Sequence, residues 1–168
     1  MKRILLLLLI LQPFVASSQH VASRFFDRYA KTEGFSSIQL ERKMMRMMSR
    51  QAAEKGDARL SELLNGIESI RIVALDGGDG RQFMEDAEAL VNHAGYRFQL
   101  IMSESADGQT TRFYLRNAVP PGFSELLMLT SGPRETVAVN VYGAFDLKQV
   151  SRLSSIRPKR PANPTEER

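Results

Sequence analysis

The second half of the chain holds four β-type segments, 96–103, 110–117, 123–130 and 136–145, rich in aromatic, aliphatic and β-branched residues. The joints between them are short and made of turn formers: Ala106-Asp107-Gly108, Pro120-Pro121-Gly122 and Gly132-Pro133. A parallel connection needs a crossover of about a dozen residues or more, so strands joined this tightly must fold back on one another. An antiparallel meander follows. Alternation assigns the faces: Phe98, Leu100 and Met102 share one, as do Phe113 and Leu115, and Val137, Val139 and Val141. A further strand over 69–75 is apolar on both faces, which predicts a central position covered on at least one side. Segment 35–40 alternates weakly and reads as a short strand or a lead-in to a helix.

Helical spacing marks the remainder. Val21, Phe25 and Tyr29 recur along a short helix that Gly34 ends. Over 41–53, Leu40, Met44, Met47 and Met48 fall on one side and Arg42, Lys43, Arg46 and Arg50 elsewhere, giving an amphipathic helix that Gly56 breaks. Asp57 caps a third helix, closed by Gly66. Asp79 and Gln82 predict a capping box at the start of helix 81–93, whose buried stripe is Phe83, Ala87, Leu90 and Val91. Asp146 caps a last helix over 146–153. The expected class is α+β: a mostly antiparallel sheet of five to six strands with helices packed on one face. At 168 residues, this is one domain.

The ends read differently from the middle. Lys2 and Arg3 precede an unbroken apolar run, Ile4 to Leu11, and Ala16 and Ser18 follow at the spacing of a signal-peptidase site. Residues 1–18 are therefore expected to be a signal peptide, leaving a domain over 19–156 and a disordered tail over 157–168, with no transmembrane span in the exported chain. The net charge of +4 belongs to those ends, since residues 19–156 carry 17 basic and 17 acidic side chains. A balanced body lacks the basic surface that nucleic-acid binding requires. The chain has no cysteine and only two histidines, His20 and His93. This removes disulfides, thiol nucleophiles, thiolate metal sites and a lipid-bearing cysteine together.

One resemblance extends over nearly all of residues 24–153. Phe26-x-x-Tyr29, Glu33-Gly34, Met44 in a methionine-rich helix, the strand from Ile70 to Leu75, the run Ser124-Glu125-Leu126-Leu127-Met128-Leu129, and Gly143-x-x-Asp146-Leu147 occur in that order. In this the chain resembles domain of unknown function 4252. The resemblance implies a small exported protein of Bacteroidetes-type bacteria, in a family with some lipid-anchored members. It carries no catalytic residues with it.

Three sets of residues are candidates for binding. Strand parity puts Arg112, Tyr114 and Arg116 on one face, with Asn140 and Tyr142 opposing the valines of the last strand; such a face suits an anionic or sugar-like ligand, or is simply solvated. Met44, Met47 and Met48 suit an adaptable groove for a partner protein or ligand, though core packing is the simpler account of a methionine-rich helix face. Asp76 and Asp79, with Glu85 or Asp86, form a calcium candidate in a glycine-rich turn that lacks EF-hand spacing, where a tight turn with a capping aspartate is the simpler account. No serine–histidine arrangement or G-x-S-x-G motif occurs, and Glu125, alone in an apolar strand, is expected at an outward or edge position. No cofactor is implied. The expected function is an exported, non-catalytic interaction or ligand-binding module of the bacterial envelope, periplasmic or secreted. The alternative is a periplasmic hydrolase using carboxylates or a bound cation.

Overall fold

The structure, a computed structural model, describes residues 21–145 apart from positions 119 and 134. The expected signal peptide, the helix over 146–153 and the tail lie outside the described residues. Within them the order is α1 (Ser23–Tyr29), β1 (Phe35–Glu41), α2 (Arg42–Glu54), α3 (Ala58–Gly66), β2 (Ile67–Asp76), α4 (Arg81–Asn92), β3 (Gln99–Ala106), β4 (Gln109–Asn117), β5 (Ser124–Ser131) and β6 (Glu135–Gly143). The six strands form one sheet in the order β1-β2-β6-β5-β4-β3, and every neighbouring pair is antiparallel. The meander from β3 to β6 is thus present. β6 then docks against β2, and the weakly alternating segment becomes the edge strand β1.

The class is α+β, but the helices divide between the two faces instead of gathering on one. The face carrying Val73, Ala138, Leu127 and Leu129 is covered by α1 and α4 through Phe25, Phe26, Tyr29, Phe83, Ala87 and Val91. Its mirror face, with Ile70, Val141, Leu126, Phe113 and Leu115, takes α2 and α3 through Met45, Ala52, Leu63 and Leu64. The two-sided apolar character of β2 explains why: both of its faces need cover to leave water. Phe83 is the hub of the first layer, with ring centroids 5.1 Å from Phe25, 4.7 Å from Tyr29 and 5.2 Å from Phe35. The Tyr29 hydroxyl donates to Asp86 Oδ2 at 2.8 Å, and burial together with that carboxylate pushes its pKa up to about 12.

The end of β6 crosses the start of β2 closely enough to dictate glycine. The Ala144 amide donates to the Gly66 carbonyl at 2.8 Å, and a Cβ on Gly143 would sit 2.3 Å from the Gly66 carbonyl oxygen and 2.8 Å from Ile67 Cα. Both obstacles are backbone and cannot rotate aside. Gly143→Ala should therefore cost about 2–3 kcal/mol as overpacking, read as a lower urea midpoint at unchanged slope. An unchanged midpoint would mean that these strand ends are not held together.

Candidate functional site

Strands β4, β5 and β6 place the anionic-ligand candidates on one side of the sheet, the side that α1 and α4 cover. Pairing across the β4–β5 hairpin sets Arg116 opposite Glu125, and the β5–β6 register sets Glu125 opposite Tyr142. Two guanidinium N–H groups of Arg116, Nε at 2.7 Å and Nη2 at 2.6 Å, converge on Glu125 Oε2. The other carboxylate oxygen, Oε1, accepts from Asn140 Nδ2 at 2.9 Å and from the Ala22 amide at 3.4 Å. Glu125 and Asn140 are both 0% exposed. Among the described residues the carboxylate therefore has at least four donor contacts, and none of its surface meets solvent. Burial, and next the Glu125 charge, raise the Tyr142 pKa, with Arg116 partly offsetting them.

The rest of that set goes elsewhere. Arg112 Nη1 reaches Glu88 Oε1 of α4 at 2.9 Å, and Tyr114 packs, partly buried, against the Phe83 layer. Arg71, which sequence reasoning passed over, is buried on the same face and pairs with Asp27 while also donating to Gln39 Oε1 at 3.3 Å. The signal for it was a lone arginine inside an apolar strand. Glu125 was also misplaced by sequence reasoning: it lies under α1, not at an edge. Counting back from the Pro120-Pro121-Gly122 turn would have paired it with Arg116.

Chemically this cluster is a closed ion pair. A general base must reach the proton it abstracts, and every described approach to Glu125 is filled by protein donors. In the Asp76–Gly80 turn the Asp79 carboxylate is likewise committed. Asp79 Oδ1 accepts from the Arg81 amide at 3.0 Å, whereas Gln82 turns to Asp86 Oδ1 at 3.0 Å, so the capping box does not form and Gly80 takes the N-cap. Asp86 also holds Arg28 at 2.5 Å. Among the described residues no group of three or more His, Cys, Asp or Glu side chains is placed to hold a metal ion. His93 stacks on Tyr96 at 4.2 Å and accepts from the Gly95 amide at 3.2 Å, which makes it a turn residue.

The methionine helix is open. α2 turns Met45, Ser49 and Ala52 inward, Ser49 donating to the Ser61 carbonyl at 2.9 Å across to α3. Met44, Met47 and Met48 remain 41%, 49% and 37% exposed. The core-packing account thus fails for these three, whereas Met45 of the same helix is fully buried. On the same helix Arg42 pairs with Glu68, while Lys43, Arg46 and Arg50 are exposed and have no ion-pair partner among the described residues. A second opening lies at the far end of β4, a cavity of about 310 Å³ lined by Arg97, Gln99, Leu115, Arg116 and Asn117.

The family model for domain of unknown function 4252 (DUF4252) matches residues 29–153. The chain belongs to this family. No curated protein matches it. The DUF4252 match begins at the last residue of α1 and takes in the whole sheet, the open methionine helix and the buried Arg116–Glu125 pair. No helix of the described residues is long and apolar enough to cross a membrane.

Proposed function

We propose that this DUF4252 protein is an exported, non-catalytic interaction module of the bacterial envelope, and that its partner is a protein presenting an acidic, amphipathic segment to α2. The observation that carries this reading is the outer surface of α2, where Met44, Met47 and Met48 are exposed beside Lys43, Arg46 and Arg50, cations with no ion-pair partner among the described residues. Methionine adapts to irregular apolar contacts. Unpaired cations around it favour a partner of opposite charge and speed encounter with it. Export rests on Lys2, Arg3 and the apolar run from Ile4 to Leu11. A carboxylate hydrolase is disfavoured because Glu125 is sealed by Arg116, Asn140 and Ala22.

A photo-crosslinking residue at position 47, with one at the exposed Ser105 as control, tests the reading in cells. Position 47 should capture a discrete envelope protein that Ser105 does not. Binding of the purified pair should weaken at least tenfold in the Met44→Asn/Met47→Asn/Met48→Asn variant. It should also fall as salt rises from roughly 0.05 to 0.5 M. Binding indifferent to both changes, or capture only of a second copy of this chain, would overturn the proposal. Retention of the chain in the cytoplasm would overturn its exported part.

A further inference from the structure

We infer that the cavity at the end of β4 is a binding site for a small carboxylate ligand, with Arg97 as the recognising cation. Among the described residues five line it: two arginines, two side-chain amides and a leucine, with no acidic residue. Its volume of about 310 Å³ lies at the small end of ligand sites. Arg116 is already spoken for, since Glu125 takes its Nε and Nη2 and its Nη1 lies 3.4 Å from the Asn117 carbonyl. It lies against Phe98 as well, 5.7 Å from the ring centroid, and so forms a fixed, neutralised wall.

Arg97 is the opposite. Among the described residues neither its guanidinium nor the side-chain amides of Gln99 and Asn117 has a hydrogen-bond or ion-pair partner. Arg97 also adopts φ +58°, the left-handed region that a non-glycine residue enters at a cost. Strained backbone conformations concentrate at ligand clamps and active sites, and here one falls on an exposed arginine that lines a cavity.

The charge balance selects the ligand. With Arg116 compensated, the cavity presents one net positive charge, which suits a monoanion. A guanidinium matches a planar carboxylate through two parallel N–H bonds. A phosphate monoester, at about −1.5 to −2 near neutral pH, would need a second cation that the lining lacks. The amides of Gln99 and Asn117 add donors and acceptors for a hydroxyl or peptide group next to the carboxylate, and Leu115 adds one apolar contact. The class is a small hydroxy- or acylamino-carboxylate.

The test is a titration of the ¹⁵N-labelled protein with N-acetylalanine, with N-acetylalaninamide and inorganic phosphate as comparisons. N-acetylalanine should move the amides of Arg97, Gln99, Leu115, Arg116 and Asn117 saturably, and the neutral amide should not. Arg97→Gln should weaken binding at least tenfold. Arg97→Gly should weaken it equally while leaving the melting temperature unchanged or higher, since glycine accepts the left-handed backbone without strain. Absence of saturation at tens of millimolar, or binding unaffected by Arg97→Gln, would overturn the site. Phosphate binding as tightly as N-acetylalanine would overturn the ligand class.

Discussion

Glu125→Ala should destabilise the domain by about 3–5 kcal/mol, the largest single effect expected of any polar residue described. The carboxylate takes two donors from Arg116 and one each from Asn140 and Ala22, in a position with no solvent exposure. Truncation leaves the Arg116 guanidinium, whose side chain is only 10% exposed, without its counter-charge. Coulomb attraction alone would not make the pair stabilising, because desolvating two charges costs as much as their attraction returns; the penalty falls on whichever partner is left behind. Glu125→Leu combined with Arg116→Met should therefore recover more than half of the loss. Complete recovery is not expected, since the Asn140 amide and the Ala22 N–H still lose an acceptor. Urea unfolding of the two single variants and the double variant gives the coupling energy, expected above about 2 kcal/mol. A cost below about 1 kcal/mol for Glu125→Ala would show that water reaches this carboxylate, and would reopen a catalytic role for it.

Phe83→Ala should cost about as much, roughly 3–5 kcal/mol. The Phe83 ring is 1% exposed and touches three other rings from two elements: Phe25 and Tyr29 of α1 and Phe35 at the start of β1. Its removal leaves a cavity that a short helix and an edge strand must both collapse to fill. The expected signature is a fall in melting temperature on the order of 10 °C or more. It should be accompanied by faster amide exchange in α1 and β1 than in β5 and β6. Phe83→Leu keeps most of the volume and should cost less than half as much. Equal exchange rates across the sheet would mean that α1 and β1 do not depend on this contact.

These residues also show where sequence reasoning reaches its limit. Phe83 was legible, because one helix carried an unambiguous apolar stripe. Glu125 was not, because β5 is apolar on both faces and a lone acid in such a strand is ordinarily at an edge. Only the pairing of β4 with β5 brings Arg116 to it. The methionines of α2 failed for another reason. Met44, Met45, Met47 and Met48 spread over nearly half of the helix circumference, so periodicity could not choose the inward flank. The choice fell to Ser49 and Ala52, whose small side chains let α2 approach the sheet and α3 closely and carry Met45 inward with them.

By itself the amino-acid order determined the antiparallel meander, the α+β class and the resemblance to DUF4252. Turn residues and strand alternation are local signals, and tight joints leave antiparallel pairing as the only geometry. Tertiary structure alone decided that helices cover both faces, that β6 docks on β2, that Glu125 is sealed, and that Arg97 stands at a cavity without a partner among the described residues. Those outcomes depend on which element arrives to cover each face. Parity along a strand says which side chains share a face, but it is the packing of distant segments that decides which face is dry.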